Sequence, residues 1–224
     1  MALYFDLLPT ELQAAAASHL IEKIQQRDWH LSTGFLGVNL LLPTLEKIGR
    51  LDAAWRLLTN DTYPSWGYSI KHGATTIWER WDGWTEDKGF QDPAMNSFNH
   101  YAYGSAGQWM FSTVAGIDTD GPGFQRLKIH PQPGGGLTYA KASYDSIQGK
   151  IATDWRLEDD HFQLSVTIPA NTTATVLIPA QNEKDVTEGG QPAAQAEGVK
   201  FLRMENGTAL YEVGSGTYRF ISKH

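Results

Sequence analysis

The stretch Gly73–Trp84 reads Gly-Ala-Thr-Thr-Ile-Trp-Glu-Arg-Trp-Asp-Gly-Trp and holds three of the eight tryptophans, Trp78, Trp81 and Trp84. Glu79, Arg80 and Asp82 lie between them. A core segment rarely mixes such aromatics with charge, because a buried charge without a partner is costly. A solvated loop has little use for three tryptophans. Aromatic faces can stack on pyranose rings, and a carboxylate set among them can move protons, so the mixture suits the floor of a sugar-binding cleft. A tryptophan-rich packing corner whose charges face water explains the same residues, and composition alone leaves both readings open.

Glycoside hydrolysis needs two carboxyl groups, one to protonate the leaving oxygen and one to act opposite it. The nearby candidates are Glu79, Asp82, Glu86, Asp87 and Asp92. Glu79 stands out because tryptophans flank it on both sides, and a carboxylate against apolar rings is a stronger base toward water. Arg80 would oppose this if its guanidinium turned toward Glu79. Alternatively, Glu79 and Arg80 hold helices together as ion pairs. His72, Glu79 and His100 lack the short spacing of metal ligands, so no metal is expected. No Gly-x-Ser-x-Gly elbow, phosphate loop or dinucleotide fingerprint occurs, and no cofactor is expected.

Helices must position these groups. Residues 9–28 predict one, opened by Pro9 and Glu11 and carrying Leu20, Ile21 and Ile24 as its apolar stripe. In the connection that follows, His30 and Thr33 could line a cleft, although a histidine in such a place is more often hydrogen-bonded for structure. Residues 34–48 predict a second helix, apolar nearly all round and therefore buried between neighbours. Gly49 stops it, Asp52 opens a third helix ending near Asn60-Asp61, and a short helix or turn follows at Ser65–Tyr68. The β-branched run Thr75–Ile77 weakens any helix over 74–79, and Trp81–Asn96 reads as a long loop. Residues 97–117 predict a last helix capped by Asn96 or Ser97, with His100 in its first turn.

The pattern changes after the turn signals of residues 118–123. Leu127–His130, Leu137–Asp145, Gly149–Leu157, Phe162–Ile168, Thr173–Ile178, Phe201–Met204, Thr208–Val213 and Thr217–Ile221 read as short strands, many alternating at period two, which predicts an antiparallel β-sandwich. Two domains are therefore expected, 1–121 helical and 122–224 strand-rich. The first half carries 8 basic and 14 acidic side chains and the second 10 and 11, so the acidity belongs to the half with the cleft. The acidic balance argues against nucleic acid and anionic membrane as partners. With no cysteine, disulfides and thiol chemistry are excluded, and the composition fits a reducing, cytoplasmic setting. No apolar run is long enough for a membrane span, and the N-terminal residues do not have the form of a signal peptide.

Four segments, in order, carry a family resemblance. They are Trp29-His30-Leu31-Ser32-Thr33-Gly34-Phe35-Leu36-Gly37, Thr62-Tyr63-Pro64-Ser65-Trp66-Gly67-Tyr68, Gly73–Asp82 and Ser97-Phe98-Asn99-His100-Tyr101-Ala102-Tyr103-Gly104-Ser105. Together they resemble the C-terminal part of bacterial α-L-rhamnosidases, most strongly over residues 29–110. The resemblance implies an α+β multidomain fold: part of a catalytic (α/α)6 barrel followed by a C-terminal antiparallel β-sandwich. It also implies hydrolysis of terminal α-L-rhamnose from glycosides with inversion. Glu79 then matches the general base that activates water, and His100 matches a histidine that contacts the sugar. Trp66, Trp78 and Trp81 are weaker candidates for sugar platforms.

The family's general acid lies upstream of these segments, and six hairpins cannot be closed from the few helices here. An inverting pair needs carboxyl groups about 6.5–9.5 Å apart. Without its acid such an enzyme loses about 10²–10⁴ in rate. The expectation is therefore a fragment of an α-L-rhamnosidase, weakly active or inactive alone. The alternative is a rhamnose-binding or structural subunit that completes its barrel by association, as a homo-oligomer or with the missing N-terminal barrel part.

Overall fold

The computed structural model describes residues 1–223. It divides into two compact units, Met1–Trp109 and Met110–His224.

The first unit is mainly helical. α1 (Thr10–Gln25) follows Pro9, and only Ile21 and Ile24 of its apolar stripe are buried. α2 (Phe35–Lys47) buries Val38, Leu40, Leu41, Leu42 and Leu45 and packs on α3 (Leu51–Thr59), which buries Ala53, Ala54, Trp55 and Leu57. Gly49, at φ +74°, turns the chain between them in the left-handed conformation that a glycine adopts without strain. Pro43 stays inside α2. The helix is not buried all round, as its composition suggests. Its first turn leaves Leu36 81% exposed, with Phe35 partly exposed beside it. α4 (Trp66–Lys71) starts at Ser65, whose hydroxyl accepts from the Tyr68 N–H at 3.0 Å.

Residues 74–79 form no helix. The following loop contains a small hairpin, β1 (Trp84–Thr85) against β2 (Gly89–Phe90). The single helix expected over 97–117 is replaced by several pieces. Residues 97–101 are irregular, Ala102–Ser105 is a 3₁₀ turn, α5 (Ala106–Trp109) is one α-turn, and Met110–Val114 is a π-turn. Residues 97–100 fail to be helical because their backbone groups pair with residues 77–79 instead.

In the second unit, β3 (Ile117–Thr119) pairs antiparallel with β4 (Arg126–Ile129), so a strand stands where the end of the last helix was expected. β5 (Tyr139–Ser146), β6 (Gly149–Glu158), β7 (His161–Ile168) and β8 (Thr173–Pro179) follow the expected strands closely. β9 (Val186–Glu188) and β10 (Gln191–Pro192) form a hairpin in a stretch that reads as polar and irregular. β11 (Val199–Glu205), β12 (Thr208–Val213) and β13 (Gly216–Lys223) complete two sheets, ordered β10-β9-β13-β7-β6-β5 and β11-β12-β8-β4-β3. The pairing is antiparallel except between β4 and β8, which run parallel. Between the sheets, alternate residues such as Ile151, Trp155, Phe162, Leu164, Val176, Ile178, Tyr211 and Phe220 form one buried core.

Tyr211 gives this core a pH limit. Burial, with a smaller push from the Glu183 charge, raises its phenol from 10.0 to about 12. Between these values the unfolded chain releases the proton while the folded one keeps it, so stability falls as pH rises. The loss across that window should be about 2–3 kcal/mol. Urea melts on either side of it should show the drop in the wild type and a smaller one in Tyr211→Phe. Equal drops in both would remove Tyr211 as the cause.

Candidate active site

Glu79 is half-buried and is held by one residue from both directions. The Glu79 N–H donates to the Ser97 carbonyl at 2.9 Å, and the Ser97 N–H donates back to Glu79 Oε2 at 2.8 Å. Beside this pair the His100 N–H donates to the Ile77 carbonyl at 2.8 Å, and the Thr76 hydroxyl donates to the Phe98 carbonyl. Residues 76–79 and 97–100 thus run alongside each other, and the pairing fixes Glu79 and His100 on adjacent segments. Oε2 accepts this hydrogen bond, and Oε1 accepts none from the described residues.

Arg80 does not turn to Glu79. Its guanidinium forks onto Asp82, Nε to Oδ1 and Nη2 to Oδ2, both at 2.9 Å. That hydrogen bond leads the upward shift of the Arg80 pKa, with smaller pushes from the charges of Asp82, Glu79 and Asp92. Asp92 accepts from the Ala94 N–H at 2.9 Å and caps a 3₁₀ turn. Glu86 and Asp87 are exposed and line an open depression of about 1010 Å³ with Tyr63, Tyr68, Asp82 and Lys88. Among the described residues no group of three or more His, Cys, Asp or Glu side chains is placed to hold a metal ion.

The tryptophans tie the segments together. The Trp81 indole N–H donates to the Thr33 carbonyl and the Trp66 indole N–H to the Tyr103 carbonyl, each at 2.8 Å. Trp81 lies flat on Tyr103, with centroids 3.8 Å apart and planes 6° apart, and Trp66 meets Trp81 edge-on at 5.4 Å. Burial raises the Tyr103 hydroxyl pKa, and the Asp82 charge adds to the rise. Trp78 is 9% exposed and packs edge-on against Phe98. Trp66, Ile77, Trp78, Arg80, Trp81 and Tyr103 line a small, partly open pocket. His30 is engaged elsewhere, with the Arg27 carbonyl at 2.9 Å and the Thr62 hydroxyl at 2.8 Å, which is the structural use expected of such a histidine.

The fold and these segments have matches among known proteins. Residues 1–114 match the bacterial alpha-L-rhamnosidase 6 hairpin glycosidase domain, and residues 116–192 match the bacterial alpha-L-rhamnosidase C-terminal domain. The chain belongs to the bacterial α-L-rhamnosidase family. It is 47% identical over 220 residues to an alpha-L-rhamnosidase of Streptomyces avermitilis, covering 98% of this chain and 21% of that protein. It is 40% identical to one from Formosa agariphila, covering 100% and 24%. The crystal structure of the Streptomyces avermitilis enzyme complexed with L-rhamnose superposes with a TM-score of 0.93 at 47% identity, over 99% of this chain and 21% of the other. Native α-L-rhamnosidase from Aspergillus terreus gives 0.83 at 35% identity, over 99% and 23%. The chain therefore spans between a fifth and a quarter of the length of these family members.

Around the candidate site, Phe35, Ser97 and Tyr103 make contacts that sequence reasoning does not single out. Phe35 and Tyr103 lie inside the runs that carry the resemblance, where they read as ordinary packing residues. Ser97 reads as a helix cap, but its N–H and carbonyl serve Glu79.

Proposed function

We propose that these 224 residues are the C-terminal portion of an inverting α-L-rhamnosidase, hydrolysing terminal α-L-rhamnose from glycosides. Glu79 is the base that takes a proton from the attacking water, and His100 contacts the sugar. The observation that carries this reading is the reciprocal bond between Glu79 and Ser97, which anchors one carboxylate oxygen and leaves the other available. Trp66 and Trp81 shape the sugar wall, while Trp78 acts from behind it, as its burial favours. The general acid comes from hairpins outside these residues, so the chain alone is a weak catalyst. The expected division at 121/122 and the cytoplasmic setting belong to the same reading. Among the described residues no helix is long and apolar enough to cross a membrane.

A second reading has its own observation. Leu36, Ile70 and Tyr101 are 81%, 68% and 86% exposed. A rhamnose-binding or structural subunit that completes its barrel by association would cover such residues. Calorimetry with L-rhamnose tests the sugar contact common to both readings. Binding should weaken about tenfold in His100→Ala, the usual cost of losing one hydrogen bond to a sugar. Unchanged binding would remove His100 from the site.

A further inference from the structure

The inference rests on the reading of His100 as a sugar contact and identifies what holds that residue. The His100 imidazole is flanked by two rings at nearly parallel angles. Phe35 lies 4.7 Å away centroid to centroid and Tyr101 lies 5.1 Å away, each tilted by 14°. The Ala102 N–H donates to His100 Nδ1 at 3.3 Å. Only an unprotonated ring nitrogen can accept, so the neutral imidazole carries its hydrogen on Nε2 and offers a donor there.

Phe35 is the first residue of α2 and is 44% exposed. It does not fill the core of the helix. Its ring contacts are His100 and the edge of Tyr103, which itself stacks on Trp81. A half-exposed aromatic in a first helical turn buries part of its surface, and its flat face also defines the plane of a neighbouring imidazole.

We propose that Phe35 is a positioning residue for His100. Its ring holds the imidazole in the plane where Nδ1 meets the Ala102 N–H, so that Nε2–H is presented to a sugar hydroxyl. The helix that carries Phe35 thereby sets the orientation of a group on a distant loop. Leucine at this position keeps apolar bulk and loses the plane, while tyrosine keeps both.

The test uses the ¹⁵N-labelled full chain at about pH 8, where free imidazole is neutral. Two-bond ¹H–¹⁵N spectra should show His100 with its hydrogen on Nε2 in the wild type and in Phe35→Tyr. Phe35→Leu should shift it toward a mixture of tautomers. In parallel, L-rhamnose titrations should give a dissociation constant about three- to tenfold weaker in Phe35→Leu, with recovery in Phe35→Tyr. A role confined to folding would lower the melting temperature and the folded fraction while leaving the tautomer and the dissociation constant of the folded protein as they are. Wild-type tautomer signals in Phe35→Leu would overturn the proposal. Wild-type rhamnose binding in His100→Ala, or no binding by the chain at all, would instead count against the parent reading, and the tautomer spectra would still decide the role of Phe35.

Discussion

Glu79→Gln should lower hydrolysis of an aryl α-L-rhamnoside by about 10²–10⁴-fold when the chain is joined to the other hairpins of its domain. The amide is nearly the same shape as the carboxylate. Its oxygen can still accept from the Ser97 N–H at the Oε2 position, so the local fold should persist. The outward-facing group then becomes an NH₂, which cannot take a proton from water. Melting temperature and L-rhamnose affinity should therefore stay near wild type while turnover falls. Glu79→Ala adds a second reading. Azide carries a lone pair without needing deprotonation, so it can attack the anomeric carbon as the aglycone oxygen leaves with the acid's proton. Recovery of turnover as rhamnosyl azide of inverted configuration would identify Glu79 as the base. Near-wild-type turnover in Glu79→Gln would rule it out.

The candidate site draws notice in the sequence because charge among aromatics is unusual. Glu79 stands out from its sequence neighbours, and the resemblance adds His100. What spacing cannot show is competition for backbone hydrogen bonds. Phe98, Tyr101, Ala102, Ser105, Ala106 and Trp109 recur at helical intervals, yet residues 97–100 pair with 77–79 and the helix never forms there. An apolar pattern reports which side chains can be buried together. It does not report whether a neighbouring segment will take the amides. The same limit hides the use of the indoles. Trp66 and Trp81 are candidates for sugar platforms, and their N–H groups are fastened to the Tyr103 and Thr33 carbonyls.

The strand-rich half was more legible because period-two alternation with one buried face is a strong signal, and β6 and β7 follow it residue by residue. The β9–β10 hairpin escaped because its strands are three and two residues long and only Val186 is buried in them. Its turn was nonetheless written in Gly189-Gly190, which adopt φ of +57° and +86°, as a tight hairpin turn requires.

The largest stability effect is expected at Trp155. The π-turn Met110–Val114 ends with carbonyls that have no partner further along the helix. Two carbonyls at this end are received by β6: that of Val114 by the Trp155 indole N–H at 2.6 Å, and that of Ala115 by the Thr153 hydroxyl at 2.8 Å. Gly116 then turns the chain at φ +74°, where a Cβ would lie 2.1 Å from the Pro131 nitrogen, so only glycine fits. Trp155 is fully buried and stacks near Phe162, so it fills the core and caps the turn at once. Trp155→Ala should cost about 3–5 kcal/mol through the cavity it leaves. For a unit of this size that is about 12–20 °C in melting temperature. Trp155→Phe keeps most of the volume but strands the Val114 carbonyl, for about 1–3 kcal/mol. Thermal and urea melts of both variants separate the two contributions. If phenylalanine cost as much as alanine, the capping bond would outweigh the packing. If phenylalanine cost nothing, that bond would contribute only geometry, and the packing of the indole would account for the whole effect.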